Sequence, residues 1–295
     1  MEKIEKEKAE CIYEKYIKFG LDEKGIMHVG FIGVDKTFDE KKQKTKPCLP
    51  LVLMIELQSF FADFNKFVEN DKEDNIKEVY LEGFADAKIF AVGADINAFK
   101  RILETSTDKN TLYKKALIFS EIGQNALSKI FFCPKKVTAI INSFALGGGL
   151  ELAMACHARI ATSNAVLGFP EATLGLIPGW GGTQFWKFIP KINKEKFIEY
   201  MKTSVTFNAQ EALNIGLIDS IINSEVKIPA TANSPKRYSK SSVVLIEKML
   251  DKTINNTNFH FNLSVERESF AIAMTSPDAR EGIAAFLEKR TPNFE

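Results

Sequence analysis

Two glutamates, Glu151 and Glu171, lie in glycine-framed segments of a 295-residue chain. Glu151 ends the run ALGGGLE (145–151), and Glu171 lies in FPEATLGLIPGWGGTQ (169–184). Stretches that combine glycine, proline and one lone carboxylate point to backbone shaped around a ligand, with two carboxylates placed to move protons. Gly147, Gly148 and Gly149 fall between a β-branched apolar run, VTAIIN (137–142), and an apolar helical segment, LELAMAC (150–156). Glycine lets backbone approach a ligand closely, and the first turn of a helix leaves amide N–H groups unpaired, so the run suits a developing negative oxygen. It is either half of an oxyanion hole or a tight strand-to-helix packing point. Glu151, one turn in, is favoured as a carboxylate by the helix dipole, and is either a base for water or a simple dipole complement. Glu171 follows Phe169-Pro170, where apolar neighbours raise a carboxyl pKa by desolvation; it is a proton donor or a solvated loop acid. Two carboxyls with environments that push their pKa values apart can supply an acid and a base together. AVGADI (91–96) offers a second backbone donor, the Ala94 N–H, because oxyanion holes commonly take two N–H groups from different loops.

Other chemistries find no support. No Gly-Lys-Ser/Thr follows the glycine run, and neither G-x-G-x-x-G nor G-x-S-x-G is present, which removes the usual phosphate, dinucleotide and serine-hydrolase patterns. His28, His157 and His260 show no ligand spacing, and His157 ends a helix, where an imidazole meets free carbonyls. Cys11, Cys48, Cys133 and Cys156 form no zinc pattern and read as reduced thiols of a cytoplasmic protein. With 39 basic and 38 acidic residues the net charge is +1, which argues against a nucleic-acid surface made by overall charge. The start, MEKIEKEKAE, is charged where a signal peptide is apolar, and apolar runs such as 49–55 fall short of the ~20 residues that span a bilayer.

The elements that must position these groups follow from periodicity. Residues 1–18 read as a solvated helix or frayed lead-in, 26–34 as a first strand, and 35–47 as a lysine-rich surface loop. Leu57, Phe60, Phe61, Phe64, Phe67 and Val68 have helical spacing within 51–68, and 77–81 is a short strand. A loop covers 82–96, a long amphipathic helix 111–132, a buried strand 137–142 and a further strand 158–162. Strand, helix, strand in this order favours a parallel sheet or a coil of βαβ-like units. Asn208 in NAQE is a helix N-cap with Gly216 as the stop, and Ser276-Pro277 starts a final helix whose apolar stripe is Ile283, Phe286 and Leu287.

Taken together, AVGADI (91–96), KKVTAIINSFALGGGLELAMACHARIAT (135–162), LGFPEATLGLIPGWGGTQ (167–184), NAQEALNIGLID (208–219) and SPDAREGIAAFLEKRTPNF (276–294) resemble the crotonase superfamily, the enoyl-CoA hydratases and isomerases. The resemblance runs from about residue 25 onward. It implies an α/β fold: a charged lead-in (1–24), a spiral of ββα units (25–205) and a helical region used in trimerisation (206–295). It implies an acyl-CoA thioester substrate, no separate cofactor or metal, no nucleic-acid or membrane partner, a homotrimer or hexamer, and a place in fatty acid metabolism. By motif position, the N–H groups of Ala94 and Gly148 form the oxyanion hole, Glu151 activates water for C3, Glu171 delivers the proton to C2, and Gly179 holds the water. CoA contacts fall on Lys36, Ala91, Asp95, Ile96, Phe286 and Lys289. The two glutamates imply a lyase that hydrates a 2-enoyl-CoA. An isomerase, a specialised lyase or decarboxylase, and a non-catalytic CoA-binding scaffold are the alternatives. The chain departs from the family in 35–50 and 83–93, at His157, where Asp is frequent, and at Phe185, where Arg is usual.

Overall fold

A computed structural model describes residues 11–13, 15–32, 47–84, 87–223 and 237–294. Strand β1 (Cys11–Tyr13) pairs antiparallel with β2 (Ile17–Leu21), and β2 pairs antiparallel with β3 (Ile26–Phe31). Residues 11–13 and 15–18 are therefore strand and turn, not helix, and the segment at 26–31 is a third strand, not the first. The Glu/Lys content hid this. The turn from β1 to β2 is closed from a distance by the buried Glu56, whose carboxylate accepts the N–H groups of Lys15, Tyr16 and Ile17 at 3.2, 2.6 and 2.9 Å. Glu56 belongs to helix α1 (Leu51–Asn70), whose Leu57, Phe60, Phe61 and Phe64 pack into the core as the spacing predicts.

The chain then winds. Strand β4 (Glu78–Gly83) joins β3 in parallel, and helices α2 (Ile96–Glu104) and α3 (Lys109–Phe131) lead to β5 (Lys136–Ile141), parallel to β4. A short strand the sequence pattern did not reveal, β6 (Phe144–Leu146), precedes helix α4 (Gly148–Ala155). Strand β7 (Ala158–Thr162) returns beside β5, and β8 (Val166–Gly168) lies parallel to β6. Each turn thus lays one strand in a large sheet and one in a small sheet. Ala91, bridged to Ala145, fills the same role for the turn that contains β4.

The connecting segments complete the wall of the spiral. A 3-10 helix (Pro170–Leu174) follows β8, then α5 (Gly182–Phe185), α6 (Lys194–Thr203), β9 (Thr206–Asn208), α7 (Ala209–Asn214) and β10 (Ser220–Ile222). Among the described residues the large sheet has the order β1-β2-β3-β4-β5-β7-β10 and the small one β6-β8-β9. The central strand β5 is buried on both faces over Val137, Thr138 and Ala139, as a parallel strand covered on both sides is, whereas β4 alternates buried and half-buried residues.

Helices α8 (Lys240–Thr253), α9 (Phe259–Met274) and α10 (Pro277–Glu288) pack outside. Asn208 caps α7 through the Glu211 N–H at 2.9 Å, and Ser276 caps α10 through Ala279, as the sequence predicts. In α10, Ile283 is buried and Leu287 packs against the core, but Phe286 does not share the stripe: it is 57% exposed. Helix α9 lies along α3, and α10 lies against α2 and the 3-10 helix. These two outer contacts matter most for the site, because α3, α9 and the 3-10 helix all border it.

Candidate active site

The glycine run adopts the conformation that only glycine tolerates well. Gly147 has φ +51° and ψ −126°, and it caps α4 as the chain leaves β6. The turn brings the start of α4 beside residues 93–94: a Cβ placed on Gly148 would lie 3.5 Å from the Ala94 nitrogen. Backbone at Ala94 and Gly148 therefore comes together at one end of a pocket of about 60 Å³. Val92, Ile96, Glu151, Glu171, Leu174, Ile177, Gly179 and Trp180 are among the residues that line it, with Phe99, Phe119 and Phe270 as an aromatic wall. Phe119 stacks on Trp180 and on Phe270, at centroid distances of 5.4 and 6.0 Å.

Glu151 reaches from the first turn of α4 into a loop that turns toward it. Its Oε1 accepts the N–H groups of Trp180 and Gly182, each at 2.8 Å. Gly182 has no room for a side chain, since a Cβ there would sit 2.8 Å from the Glu151 Cγ. Glu171, in the 3-10 helix, lays its carboxyl over Gly147, with Oε1 2.6 Å from where a Cβ on Gly147 would be. Its Oε2 is buried and accepts no hydrogen bond in the structure. Both carboxyls thus face the pocket that Ala94, Gly148 and Gly179 also line.

The electrostatics differ from the sequence expectation at one of the two. Burial pushes the Glu171 carboxyl up to about 8, in the expected direction, with the nearby Glu266 adding to the rise. Glu151 was expected to be favoured as an anion by the helix dipole. Instead burial, then the charges of Glu266 and Glu171, raise its pKa well above the usual carboxylate range, outweighing the two amide donors. Three carboxyls are in fact clustered here, and the third, Glu266 on α9, escaped the sequence reading. Its signal was position: it falls on the apolar stripe of α9, between Leu263 and Phe270, where a charge is out of place. It accepts the Gly181 N–H at 2.6 Å, the Thr183 N–H at 2.9 Å, Gln124 Nε2 at 3.1 Å and the Thr183 hydroxyl.

The residues marked for CoA are less concentrated. Ile96 lines the pocket rim. Asp95 is the N-cap of α2, its Oδ1 accepting the Asn97 N–H at 3.0 Å. Ala91 has no exposed surface; its N–H donates to Phe144 O at 3.0 Å and its carbonyl accepts from Leu146 N at 3.1 Å. Its backbone groups are thus already paired within the small sheet. Phe286 and Lys289 are exposed at the end of α10. Lys36 lies outside the described residues. His157, expected to meet carbonyls, bonds backbone at Phe131 in the sense that favours its protonated form, and also accepts the Val137 N–H on Nδ1 at 2.9 Å, pinning the start of β5. Phe185, in the place of the family's arginine, is buried against Phe131 and Phe259.

Residues 55–295 match the model of one family, described as enoyl-CoA hydratase/isomerase. The chain belongs to that family. Similar members of the enoyl-CoA hydratase/isomerase family include a probable enoyl-CoA hydratase of Bacillus subtilis, 34% identical over 229 residues, which are 76% of this chain and 84% of that protein. A crotonyl-CoA hydratase of Syntrophomonas wolfei is 37% identical over 221 residues, 74% of this chain and 80% of that one. Among solved structures, an enoyl-CoA hydratase from Bacillus anthracis superposes with a TM-score of 0.55 at 25% identity, covering 95% of this chain and 99% of its own. The α/β spiral described above is the crotonase fold of this family.

Proposed function

We propose that this protein hydrates a short-chain 2-enoyl-CoA to the 3-hydroxyacyl-CoA. The observation that carries the proposal is the meeting of Glu151 and Glu171 in one small pocket whose wall includes backbone at Ala94 and Gly148. The thioester carbonyl oxygen accepts the N–H groups of Ala94 and Gly148, which stabilise the enolate; one such donor is worth about 3–4 kcal/mol. Glu151, as carboxylate, takes a proton from a water whose oxygen bonds to C3. The C2–C3 π electrons move toward the thioester, and the neutral carboxyl of Glu171 gives its proton to C2. Water is thereby added, Glu151 ends protonated and Glu171 ends as carboxylate, and exchange of one proton with solvent restores both.

Hydrogen bonding supports this division of roles. Glu151 Oε1 has two amide donors, whereas the buried Oε2 of Glu171 has none. Counted by amide donors, an anion is better supported on Glu151 than at Glu171 Oε2, although burial raises both carboxyls, so the roles rest on the geometry of the pair. The aromatic wall of Phe99, Phe119 and Phe270 supports a short acyl chain, as do relatives named for crotonyl-CoA and for short-chain enoyl-CoA. CoA itself is part of the substrate, with Ile96 at the rim and Lys289 at the end of α10 as its contacts; Gly179 holds the attacking water. Trimer formation belongs to the same reading. It is supported by the exposed Phe132 and Phe188, which flank Phe259 and leave an apolar patch open on one protomer.

The test is a panel of 2-enoyl-CoAs of increasing chain length, followed by loss of the conjugated thioester absorbance and by product mass. The four-carbon substrate is expected to gain the mass of water fastest. An unchanged mass with a moved double bond, or no reaction at any length, refutes the proposal.

A further inference from the structure

The four amides of residues 180–183 alternate between two carboxylates. Trp180 and Gly182 donate to Glu151, while Gly181 and Thr183 donate to Glu266. Glu266 does not line the pocket. It stands on the far side of the strip, on α9, and takes four donors once Gln124 and the Thr183 hydroxyl are counted. That set fills the lone-pair sites of a carboxylate and offsets part of the cost of its burial, which still raises its pKa above the usual carboxylate value. Ser120, buried on α3, donates to the Gly179 carbonyl and so fixes the peptide that carries the Trp180 N–H.

From this alternation we propose that Glu266 is a positioning residue for Glu151. By holding the amides of Gly181 and Thr183, it aims those of Trp180 and Gly182 at Glu151 Oε1 and leaves Oε2 for water. The inference rests on the hydratase reading above. A strip of peptide with N–H groups on alternate sides has one rotational setting that serves both carboxylates, so loosening one side misaims the other. Misplacement of a reacting group by about 1 Å can cost roughly 100-fold in rate.

Glu266 also acts through its charge. The groups facing it are Glu151 on α4, Glu171 on the 3-10 helix, Gln124 on α3, Thr183 and Gln184 on α5, and Lys187 just after α5. Lys187 is held down to about 8 by burial, although Glu266 favours its charged form, and it donates to Gln184 Oε1 at 2.7 Å. On its own helix, Arg267 donates to Gln124 Oε1 at 3.2 Å and pairs with Glu121. The negative field of Glu266 favours a proton on Glu171 and on Glu151. Its removal lowers both.

The experiment compares wild type with Glu266→Gln and Thr183→Val on crotonyl-CoA, measuring kcat and KM from about pH 5 to 10 alongside a thermal melt. Glu266→Gln is expected to lower kcat roughly 10- to 100-fold with KM within about threefold, and to move the alkaline limb of the kcat profile to lower pH. Thr183→Val keeps the charge and removes one donor. It is expected to lower kcat by about threefold or more with the alkaline limb in place. A purely structural role would lower only the melting temperature. Folded Glu266→Gln with wild-type kcat and an unmoved limb overturns the proposal. If that variant does not fold, wild-type kcat in Thr183→Val overturns it instead. Wild-type protein that hydrates no enoyl-CoA removes the hydratase reading, and this one with it, before either variant is compared.

Discussion

Replacing the acid should make the protein more stable and nearly inactive. Glu171 has its folded pKa raised from 4.5 to about 8. For a raised group, the stability contribution is full below the unfolded value and is lost as pH climbs toward the folded one. Between those limits the unfolded chain releases a proton that the folded chain keeps. Each pH unit in that window costs about 1.4 kcal/mol of folding free energy, so the loss reaches ~3 kcal/mol at pH 7 and ~5 kcal/mol at pH 8, as upper bounds. Glu171→Gln has the same shape and no such proton. Its amide places an N–H₂ donor where Glu171 Oε2 already finds no partner, which takes back about 1–3 kcal/mol. The diagnostic is therefore the slope. The stability of the variant relative to wild type should rise by about 1.4 kcal/mol per pH unit from pH 5 to 8, then level off. Urea melts at matched pH values read it directly, and hydration of crotonyl-CoA by the same samples should fall roughly 10²- to 10⁴-fold. A difference that is flat with pH would refute the buried, protonated state assigned to Glu171, whatever the activity does.

Three further outcomes are expected. Gly147→Ala forces a left-handed backbone on a Cβ that points at the Glu171 carboxyl, so both stability, by roughly 1–3 kcal/mol, and hydration should fall; a variant as active as wild type would show that this turn is not under constraint. Phe119→Ala opens the aromatic wall between Trp180 and Phe270, and should shift preference toward longer enoyl-CoAs in competition assays while destabilising by roughly 3–5 kcal/mol. Asp108→Ala removes the cap that holds the Asn110 and Thr111 N–H groups at the start of α3, at about 1 kcal/mol in a chemical melt and with no change in the pH profile.

The parts of this protein that could be read from its letters are those where the signal is local. Helix spacing in 51–68 and the caps at Asn208 and Ser276 depend on neighbours a turn away, and the structure has them where the spacing puts them. The strands at 11–21 depend on Glu56, some forty residues later, and charged flanks masked them. The same limit applies at the site. Glycine runs advertise Glu151 and Glu171, but nothing near either residue announces that Glu266 shares their loop. The proton affinity of Glu151 departs from the sequence expectation for the same reason. A helix dipole is visible in sequence, whereas the burial and the neighbouring charge that override it come from α9 and the 3-10 helix.

The chain has two tryptophans, and the structure gives them unequal surroundings. Trp180 lines the pocket between Phe119 and the start of α4, whereas Trp186 is buried behind α5 with its indole N–H on the Thr183 carbonyl at 2.8 Å. On the proposed reading, an acyl group in this pocket lies against the first indole and not the second. The molecule would then carry its own optical reporter: emission from Trp180 is expected to change with occupancy over a constant Trp186 background, so that binding is followed in unlabelled protein without turnover.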